Sequence, residues 1–115
     1  MKILVTGGRD YADYEYLSGV LDGIHSLTGI DMIIEGGARG ADSLARKWAI
    51  TNYIPFKTYE ADWKKYGKSA GHKRNRRMLD DSKADMVVAF SGGVGTAGMV
   101  AYAWENLVPV LDKRK

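Results

Sequence analysis

Short apolar runs alternate with amphipathic stretches along the whole chain of 115 residues. The apolar runs are typical of strands that are buried on both faces. Between them, apolar residues recur at i, i+3, i+4 and i+7, which is the spacing of a helix with one buried stripe. The five predicted strands are Ile3–Val5, Met32–Ile34, Phe56–Tyr59, Met86–Phe90 and Val108–Leu111.

Four helices are predicted between these strands. A shorter helix is expected over residues 72–82, where it buries mainly Met78 and Leu79, and N-caps are expected at Asp13 and Thr96. The other three helices carry the apolar stripes Leu17, Val20, Leu21 and Ile24; Ala41, Leu44, Ala45 and Trp48; and Ala97, Val100, Ala101 and Trp104.

This alternation predicts an α/β three-layer sandwich, with a five-stranded parallel sheet in the order 3-2-1-4-5 and helices on both faces. Pro109 lacks an N–H group, so the last strand is expected at an edge of the sheet. The strand order reverses between strands 1 and 4. Ligands of such sheets bind in the crevice beyond the carboxyl ends of the strands at that point.

Three glycine-rich turns follow predicted strands 1, 2 and 4, and therefore converge on this crevice. A strand that ends in glycines and leads into a helix directs free N–H groups and the positive end of the helix dipole at one point, which suits phosphate. One such turn is most often only a tight connection, but three together indicate a nucleotide or a sugar phosphate. The turns contain Gly7 and Gly8; Gly36, Gly37, Ala38 and Gly40; and Ser91, Gly92, Gly93, Gly95 and Thr96.

Side chains near these turns offer further contacts, each with a structural alternative. Arg9 and Arg39 are candidates to grip phosphate, or are surface arginines. Asp42 either accepts from a ribose hydroxyl or favours the helix dipole and ties its loop together. After strand 3, Asp62 and Trp63 offer a carboxylate and a stacking ring for a base, although Trp63 could equally cover the core.

Positive charge is concentrated in residues 64–77. This segment holds seven of the chain's 17 Lys and Arg residues and none of its 14 Asp and Glu residues. It is either a solvated helix face or an electrostatic footprint for phosphate.

Composition excludes several other functions. Without cysteine the chain has no disulfide, no thiolate nucleophile and no cysteine metal site. His25 and His72 have no companions at metal-ligand spacing, the Walker lysine spacing is missing, and nothing indicates a cofactor. A chain of this length is expected to form one domain over residues 1–115, and the lack of a signal peptide or membrane span predicts the cytoplasm.

Five motifs in order resemble the YspA-like, cpYpsA-related branch of the SLOG superfamily. The resemblance covers residues 2–111 and implies a Rossmann-like fold that binds nucleotides, ADP-ribose-type molecules or nucleic acid at its glycine loops. It also implies ligand contacts for Arg74 and Asn75, and self-association as a dimer or larger. The motifs are Thr6-Gly7-Gly8-Arg9-Asp10, Gly36-Gly37-Ala38-Arg39-Gly40-Ala41-Asp42, Ala61-Asp62-Trp63, Ala70-Gly71-His72-Lys73-Arg74-Asn75-Arg76-Arg77-Met78 and Ala89-Phe90-Ser91-Gly92-Gly93-Val94-Gly95-Thr96.

Two related groups define the alternative functions. Phosphoribohydrolases that release cytokinin bases carry a proline and a glutamate where this chain has Ser91 and Met99, so their mechanism lacks its carboxylate here. The DNA-processing protein A family binds single-stranded DNA and shares Ala38-Arg39-Gly40 and Arg74-Asn75-Arg76. The sequence therefore favours a protein that senses or sequesters a nucleotide-derived small molecule over an enzyme, a nucleic-acid-binding protein or a membrane protein.

Overall fold

The computed structural model describes residues 1–115. All five strands lie in one parallel sheet in the order β3-β2-β1-β4-β5, which confirms the predicted fold class. The elements are β1 Lys2–Thr6, α1 Tyr14–Thr28, β2 Met32–Glu35, α2 Ala41–Thr51, β3 Phe56–Thr58, α3 Trp63–Tyr66, a 3-10 turn Gly67–Ser69, α4 Ala70–Ser82, β4 Met86–Phe90, α5 Val94–Glu105 and β5 Val110–Lys113.

Both faces of the sheet are covered, because alternate residues of each central strand enter different cores. Ile3 and Val5 of β1 pack in a cluster that also holds Leu17 of α1 and Trp48 of α2. Leu4, between them in the chain, packs in the opposite cluster. That second core includes Met78 and Leu79 of α4 and Met99 and Ala103 of α5.

Most boundaries lie close to the prediction, but the last strand is displaced. The last strand begins at Val110, two residues later than predicted, and Pro109 precedes it rather than lying within it. The carbonyl of Pro109 accepts a hydrogen bond of 2.9 Å from the Val87 N–H. The strand does lie at an edge of the sheet, as its proline predicts.

The buried face of α5 differs from the predicted stripe. Thr96, Met99, Val100 and Ala103 are buried, whereas Trp104 is 57% exposed. Both stripes have helical spacing, and α5 is apolar on every side, so periodicity does not distinguish its faces. Thr96 is not the N-cap of α5, because the helix begins at Val94 and Gly93 holds that position. Asp13 does cap α1, since its side chain accepts from the Tyr16 N–H at 3.0 Å.

Candidate functional site

The loops after β1, β2 and β4 meet at the carboxyl ends of these strands and surround a cleft of about 400 Å³, here called the main cleft. Parallel strands place all their carboxyl ends on the same edge, so loops distant in sequence become neighbours. Helix α4 and Trp63 complete the wall. The lining residues are Thr6, Gly7, Gly8, Arg9, Ala38, Asp42, Trp63, Lys68, Gly71, His72, Arg74, Asn75, Met78, Gly93, Val94, Gly95 and Thr96.

The first turn of α5 brings unpartnered amides to this cleft. The first backbone hydrogen bond of the helix runs from the Ala97 N–H to the Gly93 carbonyl, at 3.1 Å. No side chain caps the helix, so the N–H groups of Val94, Gly95 and Thr96 have no partner within the chain. Their residues line the main cleft, and a helix N-terminus of this kind attracts an anion.

The loop between β2 and α2 is built differently, because two of its amides already bond to carboxylates. The Gly37 N–H donates to Glu35 at 2.6 Å, and the Ala38 N–H donates to Asp42 at 3.2 Å. Glu35 is fully buried and also accepts from the Thr58 hydroxyl. These two amides are therefore satisfied within the protein and do not face the cleft as free donors.

Several of the predicted glycines allow the loops to approach one another. Gly40 has φ +79°, and a Cβ atom there would overlap the Gly8 carbonyl oxygen. A Cβ atom on Gly7 would lie 2.5 Å from the Cβ of Ala41. The Gly8 N–H donates to the Ser91 carbonyl at 2.9 Å, which joins the first loop to the third. Glycine is needed at these positions for packing between loops.

Asp42 is a buried carboxylate that lines the main cleft. The Ala38 N–H donates to its side chain and so ties Asp42 to the loop, which is the structural role that the sequence analysis offered beside a ribose contact. Burial raises the pKa of Asp42 to about 6, while the Ala38 amide and the nearby Arg74 guanidinium act in the opposite direction. The neighbouring Glu35 adds to the upward shift. Asp42 is consequently positioned to change its charge near neutral pH.

Arg74 and Asn75 connect three parts of the site. The Arg74 guanidinium donates to the carbonyls of Gly36 and Tyr59, the latter at 3.4 Å, and its Nε donates to Asn75 at 2.9 Å. The Asn75 amide in turn donates to the Gly95 carbonyl at 3.2 Å. Burial lowers the pKa of Arg74 from its usual value. The pair thus fixes the first turn of α5 relative to the loop after β2.

A second cleft of about 420 Å³ adjoins the first. The two share Arg9, Ala38, Trp63 and Arg74 in their walls. The Arg9 guanidinium lies 5.2 Å from the centroid of the Trp63 ring, and Trp63 is 50% exposed. Trp63 therefore does not cover the core. The residues of the second cleft are Arg9, Gly36, Gly37, Ala38, Arg39, Glu60, Ala61, Trp63 and Arg74.

Four predicted site residues line neither cleft. Asp62 caps the short helix α3, where its carboxylate accepts from the Lys65 N–H at 3.1 Å. The Ser91 hydroxyl accepts from the Lys115 N–H at 3.1 Å. Gly40 and Gly92 lie where loops pack closely, and a Cβ atom on Gly92 would overlap the Thr96 hydroxyl. These residues shape the loops rather than face the clefts.

The structure also places in the clefts three residues to which the sequence analysis assigned no individual ligand contact. Lys68 and His72 line the main cleft, and Glu60 lines the second. Glu35 was missed as well, although an acidic residue at the end of an apolar strand and just before two glycines is an unusual pattern that could have drawn attention. Met99 lies fully buried in the core and does not line a cleft.

A family model described as YspA, cpYpsA-related SLOG family matches residues 1–66. The chain belongs to this SLOG family. The matched region contains the first two glycine loops and Trp63. A curated relative, the Gene 61 protein of Mycobacterium phage D29, is 34% identical over 120 residues, covering 96% of this chain and 94% of its own length.

The fold of this SLOG family member is also similar to a solved structure, the Moco carrier protein from Chlamydomonas reinhardtii. The TM-score is 0.72 at 21% sequence identity, covering 99% of this chain and 76% of the carrier protein. At this identity the likeness concerns the fold alone. Within the SLOG family chain, no helix has the length and apolar character needed to span a membrane, and no cluster of three or more His, Asp or Glu side chains is arranged to hold a metal ion.

Proposed function

We propose that this SLOG family chain binds a nucleotide-derived ligand, of the ADP-ribose or nucleoside-phosphate type, and that it senses or sequesters this molecule. The observation that carries the proposal is the uncapped first turn of α5. The three unpartnered amides of Val94, Gly95 and Thr96 belong to residues that line the main cleft. They supply both hydrogen-bond donors and the positive end of the helix dipole to a phosphate group.

The charges of the main cleft support an anionic ligand. Arg9, Lys68 and Arg74 line it, and its only carboxylate is Asp42. Trp63 adds an exposed aromatic face on which a base can stack. The ligand of the proposal therefore has a phosphate at α5 and a planar group toward Trp63.

Gly95→Val tests the phosphate position. A Cβ atom on Gly95 meets nothing within 4 Å, and its φ is not in the left-handed region, so the variant is expected to fold. The added side chain would occupy the place of the phosphate. We expect calorimetry with ADP-ribose and the four common nucleoside 5′-monophosphates to show at least about a tenfold loss of affinity, comparable to losing one charge-assisted hydrogen bond.

Gly19→Val is the matched control, because Gly19 is also a helical glycine with no atom within 4 Å of its Cβ position. It lies on α1 and lines neither cleft. The control should bind like the parent protein. Unchanged affinity in a folded Gly95→Val protein would contradict the phosphate-binding role of α5.

Hydrolysis of a nucleoside 5′-monophosphate to free base and ribose phosphate is the second candidate function, and Asp42 favours it. Asp42 is a carboxylate in the main cleft with a pKa of about 6, close to the pH of the cell. Against this, Met99 at the glutamate position of the phosphoribohydrolases is buried in the core. We expect no appreciable base release by chromatographic assay. Turnover of roughly several per second that falls by about 10²-fold or more in Asp42→Asn would instead establish an enzyme.

Binding of single-stranded DNA is less well supported. Several cations of residues 64–77 already contact groups of the chain: Lys65 and Lys73 lie over the Tyr66 ring, Arg76 lies over Tyr102, and Arg77 contacts the Glu60 carbonyl. A salt titration of oligonucleotide binding distinguishes the two ligands. Tight binding whose log K falls with log salt at a slope of about −0.7 per phosphate contacted would favour DNA.

A further inference from the structure

The second cleft is lined by more positive than negative side chains. Arg9, Arg39 and Arg74 all line it, and Glu60 is its only acidic residue. Arg9 makes no ion pair with any carboxylate. Arg39 lies 3.5 Å from Asp10, but the two side chains are 76% and 97% exposed, so a ligand can displace this weak contact.

Two amides of this cleft are already occupied, since those of Gly37 and Ala38 donate to Glu35 and Asp42. The charged donors that this cleft offers to an anion are its guanidinium groups. Arginine presents paired N–H donors that match two phosphate oxygens at once. This differs from the main cleft, where the amides of α5 supply the donors.

Trp63 and Arg9 belong to both clefts, and the Arg9 guanidinium lies 5.2 Å from the Trp63 ring centroid. A nucleoside that stacks on Trp63 would have one end toward α5 and the other toward Arg39. We propose that the second cleft is a second anion subsite and that the ligand is a nucleotide with phosphate groups on both sides of its nucleoside. This inference rests on the proposed function, and it names the ligand class more closely.

Calorimetry with matched nucleotides tests the second subsite. The probes are the 5′-monophosphates of adenosine, guanosine, cytidine and uridine and the corresponding 3′,5′-bisphosphates. For the preferred base, we expect the bisphosphate to bind at least about tenfold more tightly than the monophosphate, the value of about one phosphate–guanidinium contact. Equal affinities would overturn the second anion subsite.

Two variants assign this gain to the second cleft. Arg39→Gln should remove most of the gain, so that the bisphosphate and the monophosphate bind this variant with similar affinities. Arg46→Gln is the control, because Arg46 lies on α2 and lines neither cleft yet carries the same charge. A gain that survives Arg39→Gln, or falls equally in both variants, would contradict the proposal.

Glu60→Gln gives a test of opposite sign. Removing the only carboxylate of the second cleft should strengthen bisphosphate binding severalfold. Weaker binding would mean that Glu60 accepts a hydrogen bond from a hydroxyl or amino group of the ligand, and that the second cleft is not an anion subsite.

The outcomes separate this inference from the proposed function. If the monophosphates bind and depend on Gly95 but gain nothing from a second phosphate, the proposed function stands and the second anion subsite is wrong. If no monophosphate, bisphosphate or ADP-ribose binds, both are wrong.

Discussion

The loops after β2 and β4 have the same sequence pattern, a buried strand followed by glycines and a helix, but only the loop after β2 bonds some of its amides to carboxylates of the protein. After β2, the amides of Gly37 and Ala38 donate to carboxylates of the protein itself. After β4, the first three amides of α5 have no partner in the chain. One loop thus carries its own anions, and the other is open to an anion from outside.

The difference comes from where acidic residues lie in the sequence. Glu35 and Asp42 flank the loop after β2, whereas the nearest acidic residues to the loop after β4 are Asp85 and Glu105. A carboxylate next to a glycine-rich turn therefore competes with an external anion for the amides of that turn. If the comparison is correct, substitutions in the loop after β2 mainly reduce stability, while substitutions in the loop after β4 mainly reduce binding.

Glu35→Ala should produce the largest loss of stability. The carboxylate is fully buried, and its removal leaves the Gly37 N–H and the Thr58 hydroxyl without an acceptor. Each such neutral group left unsatisfied costs about 1 to 3 kcal/mol, so the free energy of unfolding should fall by about 2 to 6 kcal/mol. Urea denaturation measures it, with the exposed Glu60→Ala as control. A loss under about 1 kcal/mol would show that the loop does not depend on its internal anion.

Gly40→Ala and Gly95→Ala compare the two loops directly. Gly40 has φ +79° and its Cβ would overlap the Gly8 carbonyl, so we expect a loss of about 2 to 4 kcal/mol, from strain and forced movement of the loop. A Cβ on Gly95 meets no atom, so its effect on stability should be within about 1 kcal/mol. Similar losses measured in urea for both variants would remove the distinction between the loops.

The sequence was sufficient for the fold because its alternation of apolar runs and helical stripes admits few topologies. It failed where that pattern is degenerate. In α5, Trp104 was expected to be buried but is exposed, whereas Met99 is buried although it lies outside the predicted stripe. Periodicity does not distinguish these faces, because the helix is apolar all round. The short helix α3 was also absent from the prediction, because four residues do not establish a period.

The location of the candidate site was predictable, because the sheet topology fixes where the strands end. The convergence of the three loops followed from topology, and residues such as Arg9, Trp63 and Gly95 do line the main cleft. Whether a loop amide is free or occupied depends on side-chain rotamers, which the sequence does not give. Asp62 illustrates this limit, because an acidic residue before a helix is equally suited to cap it, and here it does so.

The raised pKa of Asp42 predicts a pH dependence that the α5 loop lacks. Its folded-state value of about 6 lies above the unfolded value of about 3.9, so the folded protein binds the proton more tightly. The resulting stability is fully present below about pH 4 and is lost as the pH rises through about 6. Two pKa units correspond to roughly 2 to 3 kcal/mol.

Asp42→Asn provides the control for this effect, since asparagine has no ionisable group. Urea denaturation at pH 4, 5, 6 and 7 should show the decline in the parent protein and a flatter profile in the variant. An identical decline in both proteins would assign the pH dependence to other groups.

The smallest effect is expected for Asp10→Asn, which removes the partner of Arg39. This contact also joins two of the loops, but it differs from the carboxylate–amide bonds in being exposed: Asp10 is 97% exposed and the two charges are 3.5 Å apart. Solvent and salt screen such a pair, so the free energy of unfolding should change by less than about 0.5 kcal/mol. Asp13→Ala is the comparison variant, because it removes the cap of α1 and should cost about 1 kcal/mol. Asp13→Asn would not serve, since asparagine also caps helices. An Asp10→Asn loss as large as that of Asp13→Ala would mean that exposed charge, and not only buried carboxylates, holds these loops together.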